Sequence, residues 1–244
     1  MQMELISLLM FLDLLVLLVI GGFLGWVLEL FFKRLFSMKK WVNPGFLTGP
    51  IVPLYGFGVV FLYLIGLLPF DTWGKIIIIA VSLSALEYFV GLFFLKVMHV
   101  RLWDYRNMRG NLKGLIAPLF SVIWAVLGYI FLYYINPPFL SLLSKIHLSN
   151  FGSIIYLLLG VTYGFIIVDF LHSINITAKI RSVAAKAKET IVYEKFKVYM
   201  SEQDNKKKKF IIPLKASENI KENVIKFLTP IKKIIYKDEL DQTE

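Results

Sequence analysis

Three carboxylates interrupt long apolar stretches of this sequence: Glu29, Glu87 and Asp169. An ionised group in such a stretch is costly unless it is paired or hydrated, so each is a candidate functional residue. Glu29 has a local partner, because Lys33 follows at the i+4 spacing that favours a Glu–Lys pair. Glu87 has no opposite charge at helical spacing, so we expect it to pair with another helix or to be protonated. Glu87 therefore ranks first.

Asp169, His172 and Asn175 recur every three residues within the last apolar stretch. This spacing predicts one polar face, and we favour a polar seam against other helices over a catalytic role. The other histidines, His99 and His147, are expected on opposite sides of the helix bundle. A metal site is therefore not predicted.

The densest polar cluster lies between the third and fourth apolar stretches. Arginine forks suit phosphate or carboxylate groups, and the start of the following helix would add backbone N–H donors. One interpretation is an anion or lipid-headgroup site whose guanidinium groups converge; the alternative is a set of topology determinants with interfacial aromatics. Glu87 and Asp104 would compete for the arginines as ion-pair partners. The candidate ligand-binding residues are Glu87, Arg101, Trp103, Asp104, Tyr105, Arg106, Arg109, Asn111 and Gly114.

A motif that occurs twice organises the elements around these residues. The segments 45–55 and 110–120 both read Gly-x-Leu-x-Gly-x-x-x-Pro-Leu-aromatic, and Leu28-Glu29 and Leu86-Glu87 precede them. The pattern predicts a duplicated helix–basic turn–helix unit. Thr48 is expected to cap the second helix, with Pro50 in its first turn. A simple re-entry turn and a ligand-lining loop remain equal alternatives for the motif.

Composition assigns the chain to the membrane. Hydrophobic residues make up 57% and charged residues 18% of the 244 residues, with a mean hydropathy of +0.68. A soluble domain would be about one-quarter charged. There are no cysteines, which excludes disulfides, thiolate metal sites and cysteine nucleophiles. The first apolar stretch is long enough to span and lacks a basic n-region, so it is not expected to be a cleaved signal.

The hydropathy predicts an all-α polytopic membrane protein with about five transmembrane helices. The expected spans are 12–34, 51–68, 75–97, 115–135 and 152–175, with Asn136-Pro137-Pro138 ending the fourth. Two parallel helix-pair repeats, about 12–68 and 75–135, would be followed by a fifth helix at about 152–177. The domain division is thus a transmembrane domain, 1–177, and a basic tail, 178–244. Residues 139–150 are too short to cross and are expected on the outer surface.

Positive charge predicts the orientation. The first and third loops carry nine lysines and arginines, whereas the other two loops carry two. The basic loops and the tail are therefore expected in the cytoplasm and the N-terminus outside. Gly21-x-x-x-Gly25 and Gly160-x-x-x-Gly164 have the spacing that lets helices approach closely.

The tail contains sixteen basic and ten acidic residues. Lys179 to Met200 is expected to continue the fifth helix. After the lysine run 206–209, residues 219–236 form a basic amphipathic pattern that could lie on anionic lipid. A solvated, partly disordered tail is slightly favoured over that interpretation. Nucleic-acid binding is not predicted, because aromatic residues do not alternate with the basic run.

The ordered series of motifs over residues 20–135 resembles the family called putative ABC-transporter type IV (CmpB-like) membrane proteins. The resemblance rests on Gly25-Trp26-Val27-Leu28-Glu29, the segment Asn43–Gly58, Leu86-Glu87-Tyr88, Leu102-Trp103-Asp104-Tyr105 and Asn111-x-x-Gly114. It implies a bacterial polytopic membrane protein and favours a permease function. It brings no substrate and no catalytic residues.

The sequence lacks a Gly-x-x-x-x-Gly-Lys-Ser/Thr phosphate loop, a Gly-x-Ser-x-Gly elbow and a His-Glu-x-x-His motif. A membrane-embedded enzyme acting on lipid head groups is therefore the least supported hypothesis, no cofactor is expected, and any ATPase would be a separate subunit. The leading hypothesis is a permease-like component of the cell membrane that binds an anionic or amphiphilic ligand at the cytoplasmic side, with lipid, an ATPase or a second copy as partners. The alternative is a membrane scaffold or regulator whose tail binds anionic lipid or a protein.

Overall fold

The computed structural model describes residues 2–37, 39–149, 152–187, 189–203 and 220–229. The elements are α1 (Gln2–Phe32) with a π-helical turn (Lys33–Ser37), α2 (Pro53–Gly66), α3 (Thr72–Val97), β1 (Val100–Arg101), α4 (Pro118–Ile130), a second π-helical turn (Phe131–Ile135), α5 (Asn136–Leu148), α6 (Gly152–Ala187), β2 (Ile191–Val192), α7 (Tyr193–Gln203) and α8 (220–229). The prediction of an all-α membrane fold is confirmed.

Four helical stretches of the described chain are long and apolar enough to cross a membrane: Leu8–Ser37, Thr72–Val97, Pro118–His147 and Gly152–Ala187. The other candidate, α2, is apolar but has only 14 residues. That α2 also spans the membrane, which would give the predicted count of five spans, therefore remains a prediction. α6 runs through residue 177 without a break, so the proposed domain boundary falls inside a helix.

The membrane bundle packs around a core shared by α1, α2, α3 and the π-helical turn after α4. Leu17, Leu62, Ile79, Leu83 and Phe131 are all buried in it. Glycines allow α1 and α2 to approach closely: a Cβ added to Gly56 would lie 2.5 Å from the carbonyl oxygen of Leu18. The predicted role of Gly21 and Gly25 is consistent with this contact, since a Cβ at either position would overlap α2. Gly160 and Gly164 have no such neighbour within 4 Å.

α2 and α4 begin at equivalent prolines of the two motifs, Pro53 and Pro118. A proline at the first helical position loses no hydrogen bond, because that N–H has no partner in the helix. The predicted start of α2 was too early: Thr48 and Pro50 lie in a non-helical segment, and Val52 precedes the helix without a side-chain cap. We call residues 43–52 the first motif loop and residues 103–117 the second motif loop.

The predicted stop at Asn136-Pro137-Pro138 is wrong. α4 passes through the π-helical turn into α5, where the prolines occupy the first turn. The Asn136 N–H donates to the Phe131 carbonyl, as the wider π-helical hydrogen bond requires. This local widening gives the proline rings space that a regular α-helix would deny them.

The described part of the tail is folded, contrary to the expectation of a solvated tail. β2 pairs in parallel with β1, aligning Val100 with Ile191 and Arg101 with Val192. α8 buries Ile220, Val224 and Leu228 against a cluster that includes Val100, Ile176, Ile180, Ala184, Ile191, Tyr193 and Phe196. The predicted apolar face of this helix therefore packs on protein rather than lipid. The lysine run 206–209 and Ile231, Ile234 and Ile235 lie outside the described residues.

Candidate functional site: a buried polar core at the basic end of the bundle

The basic end of the bundle is the end that carries the two motif loops, β1 and the tail. Glu87 lies near it, on α3, and its side chain is only 3% exposed. The Tyr105 hydroxyl donates to Glu87 Oε1 at 2.9 Å, and the Trp124 indole N–H donates to Oε2 at 3.1 Å. The carboxylate thus joins α3 to the second motif loop and to α4. Among the described residues, it forms hydrogen bonds with uncharged donors and no ion pair.

Aromatic rings enclose this carboxylate. Tyr105 stacks on Phe120 with ring centroids 4.3 Å apart, and Tyr55 of α2 packs against Trp124 at 5.4 Å. Burial and the nearby Glu87 carboxylate raise the pKa of Tyr105 well above its usual range, so its hydroxyl stays protonated and can donate. Tyr55 lies in the electrostatic field of Glu87 and also of Glu29 and Glu194. The polar core therefore extends from α3 towards α1 and α7.

Lys33 connects α1 to the tail. Its ammonium group lies 3.1 Å from Glu29, which confirms the predicted i,i+4 pair. It also forms an ion pair with Glu194 of α7. The Lys33 side chain is only 4% exposed, and the two carboxylates offset the cost of burying its charge. The sequence predicted the local half of this triad and missed Glu194.

The first motif loop is fixed from inside by Asn43, which is buried. Its Oδ1 accepts a hydrogen bond of 2.5 Å from the Trp26 indole N–H. Its Nδ2 donates to the carbonyls of Leu47 and Thr48 at 3.2 and 3.1 Å. Asn43 thereby holds the loop in a curve beneath α1. Because its side chain joins the loop to Trp26 of α1, Asn43 is a positioning residue.

Asp169 of α6 binds the same loop from outside. Its carboxylate accepts hydrogen bonds from the Thr48 N–H at 3.0 Å, the Gly49 N–H at 2.8 Å and the Thr48 hydroxyl. This arrangement satisfies backbone donors that a short loop would otherwise leave unpaired. Of the predicted polar seam, Asp169 thus contacts another element, whereas His172 and Asn175 are exposed. A spacing of three falls short of the 3.6-residue turn, and successive positions rotate by about 60°.

Lys197 of α7 also binds the first motif loop. The residue is only 2% exposed, and its ammonium group donates to the carbonyls of Asn43 and Gly45 at 3.0 and 2.8 Å. The ammonium also lies 4.6 Å from the centre of the Tyr193 ring. Burial, with the charge of Lys33, lowers the pKa of Lys197 to about 7. Sequence reasoning missed this residue, because nothing in a lysine-rich tail marks one lysine as buried.

The second motif loop is held mainly by its own residues. Arg106 forms a forked pair with Asp104, at 2.6 to 3.0 Å, and this pair lowers the pKa of Asp104. Arg101 donates to the Lys113 carbonyl at 2.9 Å, Trp103 donates to the Leu115 carbonyl, and Asn111 accepts from the Gly114 N–H. Arg109 is exposed. The expected convergence of three free guanidinium groups is therefore wrong, because Asp104 and a backbone carbonyl engage two of them.

A cavity of about 730 Å³ lies between α3 and α4. Apart from Thr72 and Ser121 at its ends, its lining is apolar or aromatic: Trp73, Ile76, Ala80, Val122, Ala125, Val126 and Tyr129. The Ser121 hydroxyl accepts a hydrogen bond of 2.7 Å from Ser84, which lies one helical turn before Glu87. The apolar cavity thus approaches the polar core along α3.

At the other end of the bundle, His147 of α5 lies 3.0 Å from Asp13 of α1. The sequence pointed to neither residue as a contact, since they are separated by most of the chain. The described residues contain no group of three or more His, Cys, Asp or Glu side chains that could hold a metal ion.

Comparison with known proteins gives one match. The profile of a family described as "Putative ABC-transporter type IV" matches residues 16–174. The match extends beyond the expected 20–135 and includes the membrane part of α6, with Asp169. No curated protein and no solved structure shows a significant match to the chain.

Proposed function

The chain belongs to the family described as "Putative ABC-transporter type IV", and from that premise we propose that it is the membrane component of a transporter whose ligand site is the polar core around Glu87. The component would lie in the cell membrane with its basic end in the cytoplasm, as the nine-to-two distribution of positive charge favours. The sequence has no phosphate-binding loop, so a separate ATPase subunit would supply the energy.

The burial of Glu87 carries this proposal. A carboxylate buried in a membrane helix is costly to keep without a function, and its two donors are uncharged. Tyr105 and Trp124 leave lone pairs on both carboxylate oxygens, so the group can accept further hydrogen bonds from a ligand. The donors come from α4 and the second motif loop, so a ligand bound here would contact three elements at once.

The surroundings favour an amphiphilic ligand over a purely anionic one. Aromatic rings flank Glu87, and the apolar cavity between α3 and α4 approaches it. The arginines that would attract an anion are engaged: Arg106 pairs with Asp104, and Arg101 with a carbonyl. We therefore propose a ligand with an apolar body and a polar head that donates hydrogen bonds or carries positive charge.

The experiment compares Glu87→Gln with Glu29→Gln by native mass spectrometry of the full chain purified in mild detergent. The wild type is expected to retain an amphiphile that Glu87→Gln loses, while both variants keep the monodisperse elution of the wild type. Glu29→Gln is the matched control, because Lys33 keeps Glu194 as a partner. Equal retention by all three proteins would contradict a ligand site at Glu87.

A scaffold or regulator is the second candidate, and the folded tail favours it. Strand pairing and the buried cluster give the tail a defined surface that a protein partner could recognise. Binding of lipid through the apolar face of α8 loses support, because Ile220, Val224 and Leu228 face the protein. This candidate would gain if variants of the exposed tail surface abolished function while Glu87→Gln did not.

A further inference from the structure

The segment 189–203 follows the end of α6 and contains β2 and α7. It contacts the basic end of the bundle at three places. β2 pairs with β1, Glu194 forms an ion pair with Lys33 of the first π-helical turn, and Lys197 donates to two carbonyls of the first motif loop. The last two contacts use charged groups that are buried only when the segment is docked.

We propose that the segment 189–203 is a reversible latch on the first motif loop, pinned by the side chain of Lys197. When docked, it covers the carbonyls of Asn43 and Gly45 and completes the charge pairing of Lys33. When released, it leaves these carbonyls open. This inference does not depend on the identity of any transported ligand.

The lowered pKa of Lys197 makes the docking of the latch depend on pH. A lysine in water has a pKa of about 10.4, whereas the buried ammonium of the docked segment has a pKa of about 7. The docked state therefore binds fewer protons than the released state at intermediate pH. Docking strengthens as pH rises through about 7 and weakens on acidification, levelling off once Lys197 is protonated in both states.

Other charged groups face Lys197 from the elements around it. Lys33 opposes its charge, and Glu194 and Glu29 favour it. Tyr193 presents its ring, and Asp169 binds the same loop through Thr48 and Gly49. The pKa of Lys197, about 7, lies between pH 6 and pH 8, so its titration falls within this range.

The test measures hydrogen exchange of the full chain in lipid nanodiscs at pH 6 and pH 8, corrected for the intrinsic exchange rates. The protection factors of amides in residues 191–203 report opening of the latch, and those in α4 serve as the internal reference. For the wild type, latch protection should increase about tenfold from pH 6 to pH 8, since the difference in proton binding approaches one over that range. Protection of α4 should not change.

Substitutions of Lys197 test whether this residue causes the pH dependence of latch protection. Lys197→Met should abolish the pH dependence, and Lys197→Arg should give weak, pH-independent protection, because a guanidinium stays charged. Lys195→Met is the matched control, since Lys195 is exposed on the same helix, and it should behave like the wild type. If Lys197→Met does not fold, Lys197→Gln retains a donor for the carbonyls without titrating. A pH-independent wild type, or a tenfold change that persists in Lys197→Met and Lys197→Gln, would overturn the proposal.

Discussion

Asp169 is the residue that attaches α6 to the first motif loop. Replacing it with Asn leaves one oxygen for three donors and removes the charge that strengthens their hydrogen bonds. We expect Asp169→Asn to lower the free energy of unfolding by about 1.5–3 kcal/mol, the range for hydrogen bonds to a charged group. Thermal unfolding of the purified protein measures this loss. His172→Gln, at an exposed position one turn away, should have no effect; equal shifts for both variants would contradict the clamp.

Sequence reasoning at the residue scale succeeded where the partner was local. Lys33 lies one helical turn from Glu29, and the absence of any charge near Glu87 correctly predicted a partner on another element. It failed for Lys197, whose carbonyl partners lie more than 150 residues earlier in the chain. For Arg106 it left two alternatives open, and the ion pair with Asp104 agrees with the one in which a carboxylate engages the arginine. Composition identifies charges, but tertiary contacts decide which of them remain unpaired.

At the scale of helices, the close α1–α2 contact depends on glycines, which have no side chain. A methyl group at Gly56 would meet the backbone of Leu18, which cannot move without shifting α1. We expect Gly56→Ala to lower stability by about 1–3 kcal/mol, as overpacking does. Gly164→Ala is the control, because nothing lies within 4 Å of its added Cβ; it should be neutral or slightly stabilising. Chemical denaturation in detergent micelles compares the two, and a larger loss for Gly164→Ala would contradict this packing.

α8 offers a test on two adjacent residues. Val224 is fully buried in the tail cluster, whereas Ile225 is 55% exposed. A carboxylate at position 224 would be buried without a partner, so Val224→Asp should detach α8 and increase proteolysis of the tail. Ile225→Asp should leave the cleavage rate near that of the wild type. If α8 instead lay on lipid through this face, Val224→Asp would release the tail from vesicles and would not alter its protease resistance in detergent.

The elements were predicted well where hydrophobicity or proline position decides them. The predicted spans 51–68 and 115–135 begin two or three residues before the observed helix starts, Pro53 and Pro118. The errors arose where tertiary contacts or unusual backbone overrode local rules: Thr48 binds Asp169 instead of capping α2, and a π-helical turn carries the chain through Pro137 and Pro138. The folded tail was missed because the apolar positions of α8 fit a lipid surface as well as a protein one.

For the whole molecule, the two motif loops share a sequence pattern but differ in what they bind. The first loop takes its partners from α6 and α7, through Asp169 and Lys197. The second loop is held by hydrogen bonds among its own residues, and its Tyr105 hydroxyl donates to Glu87. The predicted duplication would thus supply two similar loops at one end of the bundle, one holding the tail and the other contacting the buried carboxylate.

The orientation of the molecule completes the proposal, because it places the latch and Glu87 on the same side of the membrane. We expect the basic end in the cytoplasm, since nine of the eleven loop cations lie there. The native chain has no cysteines, so single cysteines can be labelled without background. Asn107→Cys, exposed in the second motif loop, should react with a membrane-impermeant maleimide only after the cells are opened. Ser141→Cys, exposed on α5 about 35 Å along the helix from Pro118, should react in intact cells. The opposite pattern would place Lys197 outside the cell, where a cytoplasmic ATPase could not act on the face that carries the motif loops.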